Sequence, residues 1–239
     1  MQVLRKGEFK YELQGTHEPV LNEMWMDEMK NSKQKTKICP FVLFENFTTP
    51  DFLAILNYQL EIDAFANTLF EVCFENKLDG IVLEIWATLG TRVNDSNLYN
   101  LILTIARKLK SGGYEFYLTV PPMIEDEELF NNEHFETLWK EVNGFLLLSF
   151  DYSTVEHPGA NAPLYWMREA VENIVPSSNP HQLIEKRAKI LMGLNFYGFD
   201  YTPDGGEIII GSQCIDFLKH SNTRLKYDEK DAENFFEVK

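Results

Sequence analysis

The octapeptide DGIVLEIW, residues 79–86, sets a carboxylate, Glu84, two positions before an indole, Trp86, at the end of an otherwise apolar run. A carboxylate in such a place can move a proton, accept hydrogen bonds from a ligand, or be held by its neighbours as a structural acid. An indole can lay its flat face on the apolar side of a ligand ring while its N–H meets a polar partner, or it can fill a core. Other polar or special residues stand where further apolar runs stop: Glu45, Pro121, Asp151, Asn195 and Tyr197. Trp166 and Asp200 add a ring and a second carboxylate nearby in sequence.

These residues can act together only if a scaffold gathers the ends of the runs. Short apolar, β-branched or aromatic runs alternate with amphipathic stretches along the chain. Strands are expected over 37–47, 79–86, 114–122, 144–152 and 189–201, and helices over 51–73, 97–113, 131–142 and 163–175. Gly112-Gly113 is a helix C-cap signal, and Pro121-Pro122 cannot continue a ladder. The alternation predicts an α/β fold of parallel β/α units whose strands are covered on both faces. A strand through residues 79–86 points positions 82, 84 and 86 to one side, so Glu84 and Trp86 are expected on a shared inward face.

In a β/α barrel the carboxyl ends of the strands form the functional face, and a doubly wound sheet also binds at that edge. No glycine-rich phosphate loop follows any run, which weakens a nucleotide-binding version. About four β/α repeats and a final strand are visible where a closed barrel needs eight. Either the sheet is open or strands are missing at both ends. The segment 205–239 changes character and reads as an insertion or terminal meander within a single domain spanning 1–239.

At 239 residues and 44% hydrophobic, the chain can bury a core without a disulfide scaffold. A net charge of −15 repels nucleic acid and anionic membrane surfaces, so neither is expected as a partner. Cys39, Cys73 and Cys214 lack metal-ligand spacing and are expected as buried or free thiols, with a Cys39–Cys73 bridge left open. The histidines, His17, His134, His157, His181 and His220, are scattered, so no metal and no cofactor is expected. No apolar run reaches the roughly 18 residues of a membrane span. The first fifteen residues carry no apolar targeting core, so no signal peptide is expected in this chain. NFT at 46–48 and NDS at 94–96 are glycosylation sequons.

In combination these segments resemble family 18 glycoside hydrolases, the chitinase-like barrels. That family's fourth strand reads D-G-x-D-x-D-x-E, and the same register here is Asp79, Gly80, Val82, Glu84 and Trp86 at its fixed positions. LLLSFDYS, 146–153, is similar to the sixth strand and its M-x-Y-D pattern, ending on Asp151. ILMGLNFYGFDY, 190–201, is similar to the seventh strand and the turn after it.

The resemblance implies a (β/α)8 TIM barrel, incomplete in this chain. The first strand, part of the second and the last are missing, and a small insertion lies near the C-terminus. In family chemistry one Glu protonates the leaving oxygen while the substrate's own N-acetyl group attacks. Trp86 stands at that Glu's position, and Val82 and Glu84 stand at the supporting Asp positions. What is implied is a non-catalytic saccharide-binding protein for chitooligosaccharides, related glycans and bacterial surface saccharides. Glu84, Trp86, Asp151, Tyr197 and Trp166 are its ligand-contact candidates. A scavenger-type sorting receptor as partner and a secreted or lysosomal location come with the resemblance. Two other readings stay open: an enzyme using Glu84 or Asp151 as an unconventional acid, and a protein-interaction scaffold with a vestigial groove. For Glu84 itself, a buried acid held by hydrogen bonds is the structural alternative.

Overall fold

The computed structural model describes residues 1–16, 22–32, 36–90, 93–123, 129–154, 157–178, 180–202, 205–220 and 224–237. His17 lies outside the described residues. The chain divides into two compact units, Met1–Val120 with Leu129–Leu146, and Pro121–Glu128 with Leu147–Lys239.

The first unit opens with an antiparallel hairpin, β1 (Gln2–Gly7) and β2 (Lys10–Gln14), followed by α1 (Glu23–Lys30). Parallel strands then alternate with helices: β3 (Phe41–Val42), α2 (Thr49–Asn57), α3 (Gln59–Glu75), β4 (Gly80–Leu83), α4 (Trp86–Leu89), α5 (Asp95–Ser111), β5 (Glu115–Val120), α6 (Asn132–Leu138) and β6 (Gly144–Leu147). Their order in the sheet is β3-β4-β5-β6, with Phe41 opposite Val82 and Ile81 opposite Phe116. The unit is thus α/β with a parallel sheet, as the alternation predicts.

Its local causes are readable. The α5 face of Leu98, Leu101, Ile102, Ile105, Ala106 and Leu109 recurs at helical spacing and is buried. Asn94 caps its start by accepting from Ser96 N–H, and Gly112 with Gly113, at φ +79°, ends it. The helix expected over 51–73 is two helices, because Tyr58 leaves helical geometry at φ −117°, ψ 113°. Strands run shorter than the apolar runs suggest: β3 covers two residues of the run 37–47, β4 stops at Leu83 and β6 at Leu147.

Gly80 is demanded by the sheet. A Cβ there would lie 2.1 Å from the carbonyl oxygen of Glu115, its partner residue on β5. Backbone cannot yield as a side-chain tip can, so Gly80→Ala is expected to destabilise the unit by about 1–3 kcal/mol or more, the range of overpacked cores. Urea unfolding checks this, and an unchanged midpoint refutes the close approach.

In the second unit, the last residue of β6, Leu147, accepts from Gly193 N–H at 2.8 Å. The unit continues through α7 (Leu164–Ile174), α8 (Leu183–Arg187), β7 (Ile190–Met192), an antiparallel hairpin β8 (Tyr197–Thr202) with β9 (Gly205–Ile210), α9 (Gly211–His220), and a short pair β10 (Lys226–Asp228) with β11 (Glu233–Phe235). The single strand expected over 189–201 is therefore two, β7 and β8, and the second belongs to the hairpin. Cys39, Cys73 and Cys214 are free thiols, and burial pushes Cys73 up to about 12. Among the described residues no helix is long and apolar enough to cross a membrane.

Candidate functional site

The five candidates fall in two sets, Glu84 and Trp86 in the first unit, Asp151, Trp166 and Tyr197 in the second. β4 gives out before the first set. Glu84 N–H still donates to Val42 O at 3.0 Å, but Ile85 turns to φ −133°, ψ −27° and Trp86 begins the short helix α4. Strand alternation therefore does not carry Glu84 and Trp86 to a common inward face, which corrects the expectation drawn from the run.

Trp86 is 0% exposed. Its Nε1–H donates to Leu129 O at 2.6 Å, and its ring meets Phe130 edge-on and His134 at a tilt, each 4.9 Å between centroids. The apolar body is packed and the one polar atom is paired, the two conditions for burying an indole. In this structure it presents no ring face to a ligand. Glu84 is half-buried, and its carboxylate makes no hydrogen bond or ion pair among the described residues. The structural alternative, an acid held by hydrogen bonds, thus finds no such bond.

The second set contains a built arrangement. Asp151 is exposed and sits at φ +60°, the left-handed region that Asp tolerates better than most residues. Its N–H donates to Asn161 Oδ1 at 3.0 Å, and the Tyr197 hydroxyl donates to Asp151 Oδ1 at 2.5 Å. Burial, and then the hydrogen bond to the Asp151 carboxylate, push the Tyr197 phenol up to about 12. The pair leaves the second carboxylate oxygen of Asp151 able to accept from a ligand hydroxyl or amide.

Trp166 takes no part in that surface. It is 5% exposed, its Nε1–H donates to Met123 O at 2.8 Å, and its ring packs 5.1 Å from Tyr152. Asp200 lies on β8 opposite Glu207, and Glu45, in the first unit, accepts from the Gln2 amide. Sequence reasoning missed Asn161 and Glu233. Asn161 is 6% exposed, and its backbone N–H donates to Glu233 Oε2 at 2.9 Å. A carboxylate joined to a loop amide from a distant strand leaves no periodic signal in the sequence.

Residues 14–237 match the family described as glycosyl hydrolases family 18. The chain belongs to that family. Among solved structures, it is similar to a chitinase from Chromobacterium violaceum at 17% identity, covering 97% of this chain and 71% of that one with a TM-score of 0.75. A spore cortex-lytic enzyme of Bacillus megaterium gives 19% identity, 90% and 50% coverage and a TM-score of 0.70. A group IV chitinase from Ostrinia furnacalis, in complex with allosamidin, gives 14%, 88% and 66%, and 0.65. At such identities the likeness speaks for the fold. This family 18 chain has the chitinase-like α/β architecture, and its parallel strands are consistent with an incomplete TIM barrel.

Proposed function

We propose that this family 18 chain is a non-catalytic saccharide-binding protein for chitooligosaccharides and related glycans, including bacterial surface saccharides. The observation that carries the reading is the exposed Asp151 carboxylate, aligned by Tyr197 and left with an oxygen for a ligand. The absence of turnover rests on the register of residues 79–86 against the family strand, where Trp86 takes the place of the proton donor. An indole is no acid at a glycosidic oxygen, and losing general acid catalysis costs about 10²–10⁴ in rate.

Within the family, PGANAPLYW (158–166), the E-x-W end of residues 79–86 and the final FFEVK resemble chitinase domain-containing protein 1, the stabilin-interacting chitinase-like protein. A secreted or lysosomal location and a scavenger-type sorting receptor follow from that resemblance as proposals. Asn46 and Asn94, the sequon asparagines, are exposed, which suits glycosylation in that setting.

Calorimetry with chitotetraose, together with an assay for its hydrolysis, tests the reading. Asp151→Asn removes a charged acceptor and is expected to weaken binding by about 1–3 kcal/mol. Tyr197→Phe, which frees the carboxylate from its aligner, is expected to cost about 0.5–1.5 kcal/mol. No cleavage is expected from the wild-type chain. Binding unchanged in both variants, or hydrolysis at an ordinary enzymatic rate, refutes the proposal. A second reading, hydrolysis by an unconventional acid, has one observation in its favour: the Glu84 carboxylate is half-buried and not engaged by the described residues. Under it, Glu84→Gln abolishes turnover. Folded protein that neither binds nor cleaves leaves the scaffold reading.

A further inference from the structure

We propose that Glu233 is a positioning residue for the Asp151–Tyr197 pair and acts on it through Asn161. The inference rests on the reading above that this pair meets the saccharide, and it adds how the pair is held. Glu233 opens β11, and its carboxylate takes two successive backbone amides of a loop about seventy residues earlier. Asn161 N–H donates to Oε2 at 2.9 Å, and Ala162 N–H donates to Oε1. Leu164 N–H, at the start of α7, donates to Asp231 O at 3.0 Å, so the turn between β10 and β11 holds the far end of the loop at a second point.

The grip fixes where Asn161 points. Its Oδ1 accepts from Asp151 N–H, and its backbone carbonyl accepts from Tyr152 N–H at 2.9 Å. Asp151 is held in a left-handed backbone conformation that an L-residue does not favour unaided, and the Asn161 side chain is bonded to the very peptide that carries it. Asn161 is also 94% buried, by its exposure of 6%, and among the described residues its Nδ2 donor has no well-formed acceptor. That amide acts on the Tyr197 phenol, and in the direction opposite to Asp151.

The test reads Tyr197 directly, in protein carrying ¹³C-labelled tyrosine, with Tyr197→Phe assigning the signal. At pH 10 a phenol raised to about 12 is almost wholly protonated, whereas one at the ordinary 10.0 is half ionised. Glu233→Gln, which leaves one acceptor for two amides, is expected to move the Tyr197 signal toward the ionised position. It is also expected to weaken chitotetraose binding about five- to tenfold. Glu233→Asp, which keeps the charge but draws it back from the two amides, is expected to do the same more weakly, and it carries the test should E233Q unfold. A Tyr197 signal unmoved in the folded variants overturns the positioning role, whatever happens to binding. A signal that moves in variants of a chain that does not bind chitotetraose keeps Glu233 as the positioner of the pair and places the failure on the saccharide reading.

Discussion

Trp86→Ala is expected to destabilise the first unit by about 3–5 kcal/mol, the cost of emptying a buried aromatic site. The side chain is 0% exposed and packs against Tyr99 of α5, His134 of α6 and Phe130 just before α6, so its removal leaves a cavity among those rings. It also strips Leu129 O of its donor. Against a typical domain stability of about 5–15 kcal/mol, that loss leaves the unit marginal. Trp86→Phe separates the two contributions: it restores most of the ring and orphans the carbonyl, so about 1–3 kcal/mol is expected from the lost hydrogen bond. Urea unfolding with a fixed slope reads both. A Trp86→Ala variant within 1 kcal/mol of wild type would make the indole a surface group and return it to the ligand-contact set.

The same residue shows where sequence stops informing structure. The run from Gly80 to Trp86 is apolar almost throughout, and nothing local separates Leu83, the last strand residue, from Trp86, the first of α4. The turn at Ile85 is settled by docking of the indole on Leu129 and Phe130, more than forty positions later. By contrast, the start of that run is legible. Asp79 Oδ2 accepts from Ile38 N–H at 2.8 Å, and Gly80 lets β5 approach, so the D-G pair states a local requirement in its residue types. The apolar stripe of α5 and its closing glycines are legible for the same reason, since periodicity and a positive φ are local properties. In the site, Asp151 is marked by the end of its apolar run and by its family register. Asn161 and Glu233 are marked by neither, because the bond that joins them spans 72 residues in sequence. The antiparallel hairpin β1–β2 carries a weaker signal: β2 alternates over only five residues, and in β1 the charged Arg5 stands on the covered side with Val3, where an apolar residue would mark the strand.

Glu61→Ala is expected to cost the first unit about 3–5 kcal/mol, the range for removing one partner of a buried ion pair. Glu61 lies on α3, is 4% exposed and serves three donors from the β1–β2 hairpin: the Arg5 guanidinium, Tyr11 OH at 2.6 Å and Phe9 N–H at 3.1 Å. Without it, the ion-pair partner left to Arg5 among the described residues is Asp51 at 3.6 Å, while its own side chain is 19% exposed. Replacing the charges together, as in Arg5→Met with Glu61→Leu, is expected to lose far less, because no uncompensated charge remains buried. Burial alone raises the Glu61 carboxyl, but the hydrogen bonds from Arg5, Tyr11 and Phe9 outweigh it and hold the group below its ordinary 4.5. A depressed folded value means that this stabilisation is complete above about pH 4.5 and is lost as pH falls through the folded value. Asp51, Glu115 and Glu172 are depressed as well, so wild type alone cannot assign the acid loss. The difference in unfolding free energy between wild type and Glu61→Gln isolates it, and is expected to be flat from pH 7 to about 5 and to shrink below that. A difference that stays constant down to pH 3 would show that the Glu61 carboxylate does not carry the hairpin's attachment to α3.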